Sequence, residues 1–140
     1  MDPLKDNNIK CLQINLQRKR NAMSTLTQYI YDNKVDIILA QEPYELKGKV
    51  SGLPMFYKTI YDKTCDKPKS FVIIANSNIN PIFIQSFSND CITVVSIECN
   101  NTTIILISVY LTPSLTLQEF EVSINHLQQI IDSRSSHLFK

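Results

Sequence analysis

The stretch VDIILAQEPYELKGK, residues 35–49, carries a hydrophobic run directly into a carboxylate. Val35 to Gln41 is a short, continuous apolar segment, the pattern of a strand covered on both faces. It stops abruptly at Glu42, which is followed by Pro43. Glu42 is then either the first solvated residue of a loop or an acid delivered by the strand to the edge of a sheet. The pattern by itself allows both.

Upstream, Ile9 to Leu16 reads as another strand, and Arg18, Lys19 and Arg20 form a basic turn after it. Ala22, Met23, Leu26, Tyr29 and Ile30 recur at three- and four-residue spacing, which predicts a helix with one apolar face. The opening is therefore strand, helix, strand, a β-α-β unit. If the two strands are parallel neighbours, Asn15 and Glu42 emerge at the same carboxyl edge, where ligand sites of open sheets form. A carboxylate and an amide there suit a hard cation, since Mg²⁺ takes one or two carboxylates plus substrate oxygens. Arg18, Lys19 and Arg20 fall on that edge and could neutralise nucleic-acid phosphates. Lys47, Lys49, Lys58, Lys63, Lys67 and Lys69 form a second basic cluster, diluted by Glu45, Asp62 and Asp66.

Downstream of Pro54 the pattern becomes strand-rich. Runs at Met55–Ile60, Ser70–Ala75, Ile82–Ser86, Ile92–Glu98 and Thr103–Leu111 are dense in Val, Ile, Phe, Tyr and Thr, with Asn, Asp, Pro and Ser between them. Asn100-Asn101 suits the left-handed turn of a two-residue hairpin, so consecutive strands form an antiparallel meander and the sheet is mixed. Tyr110 lies near the end of the last run, where its hydroxyl could reach a phosphate or simply sit at the rim of a packed ring. A final helix begins at a capping box of Thr116 and Glu119 with a Leu115–Phe120 staple. Phe120, Ile124, Leu127 and Ile131 are its expected buried stripe.

Bulk properties narrow the function classes. The chain has 140 residues, 44% hydrophobic, with a formal net charge of +1. That suits one folded domain, and nucleic-acid binding would have to come from local patches. No apolar run is long enough for a membrane span, and the N-terminus has no signal-peptide core. The four cysteines, Cys11, Cys65, Cys91 and Cys99, lack metal or redox spacing, and the apolar surroundings of Cys11, Cys91 and Cys99 suit packed free thiols in a reducing, intracellular compartment. With only Gly48 and Gly52 in the chain, Rossmann, P-loop and nucleophile-elbow readings fail. His126 falls beside the helix stripe, facing solvent, and neither it nor His137 has a partner for a catalytic triad.

Three stretches taken together, LQINLQRKRNA, AQEPYELKGKVSGLP with IYDK, and ISVYLTPS, resemble the endonuclease/exonuclease/phosphatase superfamily. They look most like the apurinic-type endonuclease domain of non-LTR (LINE-type) retrotransposons. The resemblance implies a four-layer α/β sandwich, here partial, with mixed sheets and flanking helices. It implies Mg²⁺ or Mn²⁺, DNA as the partner, and phosphodiester hydrolysis that nicks a target for reverse transcription, in the nucleus where the protein functions. The family's metal-binding glutamate falls on Glu42, its strand-end asparagine on Asn15 and its phosphate-contacting tyrosine on Tyr110; the Arg18 region resembles its DNA-proximal loop.

The family's G-D-x-N and S-D-H segments have no counterpart in these 140 residues. The chain is therefore expected to be a single truncated domain, inactive alone, with an exposed strand edge, and completed by the remainder of a reverse-transcriptase polyprotein. Two alternatives stand beside this reading: another phosphoesterase branch of the superfamily, and a non-catalytic remnant that binds DNA or protein.

Overall fold

The computed structural model describes residues 8–133. The expectations for the extreme N-terminus and for His137 lie outside them. The chain divides into two compact units, one running through Tyr110 and the other from Leu111.

The first unit opens with strand β1 (Cys11–Asn15), helix α1 (Arg20–Asn33) and strand β2 (Ile37–Gln41). β1 and β2 pair in parallel with Asn15 opposite Gln41, so both strands end on one edge, as the β-α-β reading requires. A small hairpin follows, β3 (Glu45–Leu46) and β4 (Lys49–Val50), then β5 (Lys58–Ile60) and β6 (Ser70–Ile74). β6 lies antiparallel between β2 and β5, giving a mixed sheet ordered β1-β2-β6-β5. The second sheet is β7 (Ile82–Phe83), β8 (Ile92–Cys99) and β9 (Thr102–Val109), an antiparallel meander. Asn100 and Asn101, at φ 52° and 63°, close the β8–β9 hairpin in the left-handed geometry expected of them.

The meander is thus confined to the last three strands. β5 and β6 join the first sheet instead, because β6 has apolar side chains for both faces and is buried throughout. The apolar run at Met55–Ile60 becomes a strand only from Lys58; Met55 is fully exposed and Phe56 79% exposed, since they precede the ladder.

Alternation explains the layering. Ile38, Ala40, Phe71 and Ile73 face α1, whose Met23, Leu26 and Ile30 are buried against them. Ile37, Val72 and Ile74 point the other way, onto Val95, Ile97 and Leu106 of the second sheet. Period-two alternation in two strands that are apolar at four of five positions makes this helix–sheet–sheet stack. Fully burying each such side chain is worth about 1.5–3 kcal/mol. Tyr29, predicted on the buried stripe of α1, is 48% exposed at the margin of an apolar groove. That groove, about 400 Å³, runs along the open edge strand β1 between Leu12, Ile14 and α1. The open edge expected from the sequence is one of the second sheet; β1 is instead an open edge of the first sheet. Cys11, expected to be packed, is exposed because it lies on the outward face of that edge strand.

The second unit contains helix α2 (Leu117–Ser133). Its capping box forms: Thr116 Oγ1 accepts the Glu119 N–H at 3.1 Å and donates to the Glu119 carboxylate. The anticipated stripe is not buried. Phe120, Ile124 and Ile131 stay exposed while Ile130 is covered, and His126 is half-buried rather than solvent-facing. Helical spacing defines an apolar face, but only a covering surface makes it a buried one. Among the described residues, no helix is long and apolar enough to cross a membrane.

Candidate active-site edge

The carboxyl edge of the first sheet gathers the sequence-predicted residues. β1 delivers Asn15, whose Oδ1 accepts the Gln17 N–H at 2.8 Å. This Asx turn bends the chain through Gln17 and Arg18, both at positive φ (53° and 59°). The Arg18 N–H then donates to the Glu42 carbonyl at 2.9 Å, and the Leu16 N–H to the Gln41 carbonyl at 2.9 Å. The turn is therefore stitched to the strand end that carries Glu42. On the other side, the Glu42 N–H donates to the Lys69 carbonyl at 2.9 Å.

Glu42 itself sits at φ 51°. A non-glycine residue in the left-handed region costs about 1–2 kcal/mol, and a following proline restricts the backbone further. Strain of this kind persists where the surrounding bonds over-determine it, and it clusters at functional positions. Here backbone hydrogen bonds from Arg18, in the turn after β1, and to Lys69, just before β6, hold the Glu42 backbone on both sides.

Tyr110 follows β9 and is tied by its N–H to the Cys91 carbonyl at 2.8 Å. The Glu42 carboxylate, as a hydrogen-bond acceptor for the phenol and then, after partial burial, by its charge, pushes Tyr110 above its ordinary value; the nearby Arg18 guanidinium pulls it back. Arg18 Nη1 is buried without a hydrogen-bond partner. Asn15, Glu42, Tyr110 and Arg18 thus converge on one edge. Lys19 and Arg20 occupy the N-terminus of α1 and are exposed beside it.

The larger basic cluster does not stay together. Lys58 lies at the opposite edge, its Nζ donating to the Ile79 carbonyl at 3.0 Å. Lys69 lies next to Glu42 and pairs with Asp90 at 3.5 Å.

Sequence reasoning missed the polar residues beneath the site. Gln41 Nε2 donates to Ser108 Oγ at 3.1 Å, and Ser108 Oγ donates to the Ala40 carbonyl at 2.9 Å. Ser70 and Thr93 hydroxyls pair at 2.8 Å. All four side chains are buried and pin the two sheets together directly under Glu42. Inward-facing polar residues at strand ends were the available signal.

As a donor set, the edge offers the Glu42 carboxylate, the remaining lone pair of Asn15 Oδ1 and the Tyr110 hydroxyl. These hard oxygens fit Mg²⁺ or Mn²⁺ that completes its shell with water and substrate. Among the described residues, no group of three or more His, Cys, Asp or Glu could enclose a metal by itself.

No family model matches the sequence, and no curated protein does. Among solved structures, the chain is similar to the endonuclease domain of TRAS1, a telomere-specific non-LTR retrotransposon, with a TM-score of 0.72 and 24% identity. The match covers 89% of this chain and 54% of that one, so this chain spans about half the length of its structural relative. The chain has the mixed α/β fold of a non-LTR retrotransposon endonuclease domain, in keeping with the resemblance that its motifs carry.

Proposed function

We propose that this chain supplies the metal- and phosphate-positioning half of a DNA phosphodiesterase site, and that these 140 residues do not turn over alone. The observation that carries the reading is the Glu42 carboxylate, held at a strained strand end with Asn15 at the adjacent parallel strand end and close enough to Tyr110 to raise its phenol. Glu42 and Asn15 would hold the ion, which when bound supplies Lewis-acid polarisation of a phosphoryl oxygen. Tyr110 and Arg18 would orient the phosphate, a role that suits a guanidinium with an unsatisfied N–H.

Hydrolysis also needs a base for water and further stabilisation of transition-state charge. Among the described residues, no group of three or more His, Cys, Asp or Glu could hold a metal, and the nearby Asp90 carboxylate is paired with Lys69. Those groups would come from additional polypeptide, such as the remainder of a reverse-transcriptase polyprotein, in keeping with the half-length match. The setting would be nuclear, where target DNA lies.

The test is a nicking assay on supercoiled plasmid with Mg²⁺, run beside Mn²⁺ titration followed by paramagnetic line broadening. No cutting is expected, with Mn²⁺ broadening resonances around Glu42 and losing that effect in Glu42→Gln. Robust Mg²⁺-dependent cutting overturns the claim of inactivity. Absence of Mn²⁺ broadening overturns the metal site.

A second reading, a non-catalytic DNA-binding remnant, is favoured by the start of α1. Lys19 and Arg20 sit there without a side-chain cap or an acidic first-turn residue, against the helix dipole. Charges placed at a cost to the helix suit a nucleic-acid surface. Salt-dependent DNA binding that vanishes when Arg18, Lys19 and Arg20 become alanine supports it; unchanged binding refutes it.

A further inference from the structure

Beyond Glu42, the same edge carries a second concavity. β5 runs antiparallel to β6, and β6 antiparallel to β2, so β5 is parallel to β2 and its exit lies on the Glu42 edge. Tyr61 and Lys63 follow β5 there, about 10 Å from the β2 end at two strand spacings. The β3–β4 hairpin folds beside them. Together Gly48, Lys49, Tyr61 and Lys63 line a cavity of about 170 Å³.

Three features make this an anion site. First, its cations are free. Neither Lys49 nor Lys63 forms an ion pair with a carboxylate among the described residues. The neighbouring acids are engaged in local hydrogen bonds rather than with these lysines. Glu45 Oε2 accepts the Gly48 N–H at 2.8 Å, and Asp62 Oδ1 accepts both the N–H and the hydroxyl of Thr64. Second, Tyr61 is only 8% exposed, and its hydroxyl oxygen accepts the Val50 N–H at 3.3 Å, leaving its own proton to donate. The Lys63 ammonium stands over the same ring, 5.7 Å from its centroid. Third, the hairpin is built to close here. Gly48 has φ +80°, and a Cβ at that position would lie 2.8 Å from the Asp66 carbonyl oxygen.

We propose that this cavity is a second phosphate station, which takes a DNA backbone phosphate while Glu42 and Tyr110 face the one to be cut. It rests on the proposed function for the identity of the ligand as DNA. The bound strand then crosses the ends of β1, β2, β6 and β5 in turn, with Arg18 before the metal-binding edge and Lys49 and Lys63 beyond it. Lysines suit this role as point charges on a sequence-independent backbone.

The test uses the full chain and fluorescence anisotropy of a labelled DNA duplex across a salt series. The Lys49→Gln/Lys63→Gln variant should lower the slope of log affinity against log salt by about 1, the loss of one neutralised phosphate. Lys58→Gln, on the opposite edge, should leave the slope unchanged, and melting curves confirm that each variant is folded. An unchanged slope in the double variant, beside a reduced slope in Arg18→Gln, overturns the station and leaves the proposed function intact. Absence of salt-dependent binding by the unmodified chain overturns both. Inorganic phosphate titrated into the isotopically labelled chain separates the sources. Saturable shifts of the Gly48 and Lys49 amides with no change in DNA slope identify a free-phosphate pocket and overturn the DNA assignment.

Discussion

Ser108→Ala tests whether the polar pin under Glu42 holds the two sheets in place. Ser108 is 1% exposed and makes two bonds, donating to the Ala40 carbonyl at 2.9 Å and accepting from Gln41 Nε2 at 3.1 Å. Removing one oxygen leaves almost no void, so the cost comes from polarity rather than packing. The Gln41 amide, on a residue only 6% exposed, loses its acceptor. A buried unsatisfied donor costs about 1–3 kcal/mol, so about 2 kcal/mol is expected. That corresponds to a melting temperature lower by roughly 8 °C for a domain of this size. Gln41→Met keeps the shape, removes the donor and leaves Ser108 its Ala40 partner, so about 1 kcal/mol is expected. The double variant strands no donor, and its loss should fall short of the sum of the singles by about 1 kcal/mol. Urea unfolding followed by circular dichroism, with equal m-values across the set, measures all three. A Ser108→Ala loss under about 0.5 kcal/mol, or strict additivity in the double variant, refutes the pin.

Further outcomes follow from the same geometry. Alkaline titration followed by tyrosinate absorbance should show Tyr110, raised chiefly by the Glu42 carboxylate, and Tyr57, raised by burial, ionising late among the six tyrosines. A phenol raised in the native state binds its proton more tightly there, so its stabilisation is complete below about pH 10 and lost as pH rises through the native value. Tyr110→Phe should flatten that alkaline decline; an unchanged decline contradicts the influence of Glu42 on the phenol. Cys65 and Cys91 are both pushed up, chiefly by burial and then by neighbouring aspartates, so mass spectrometry should find them slow to alkylate at neutral pH. Alkylation of either at the rate of an unstructured cysteine is the contrary result. Asn101→Gly should stabilise the β8–β9 hairpin by about 0.5 kcal/mol in thermal unfolding, because Asn101 holds φ 63° at a position that favours glycine; a loss of stability counts against that reading.

How much of this was legible in the sequence depends on the range over which each interaction acts. The juxtaposition of Asn15 and Glu42 could be read because strand, helix and strand in short succession leave parallel neighbours with both carboxyl ends on one edge. The capping box of α2 and the Asn100-Asn101 turn were legible for the same reason, since each closes within a few residues. Tyr110 was different. Periodicity gave only a strand end with an aromatic; the motif order suggested a site role, and the structure brings the phenol close enough to Glu42 for the carboxylate to raise it. The hairpin at Glu45–Val50 escaped because two residues per strand carry no periodicity, although Lys47 and Gly48 both adopt the left-handed turn that Lys-Gly permits. The sheet membership of β6 and the Gln41–Ser108 bridge escaped for a deeper reason. A buried hydroxyl declares itself only when its partner is known, and Ser108 finds Gln41 across 67 residues of chain. A site assembled from the ends of separate strands is therefore visible in sequence as isolated polar residues that interrupt apolar runs. The fold turns those interruptions into one edge, and the strain retained at Glu42 marks where on that edge the chemistry is expected.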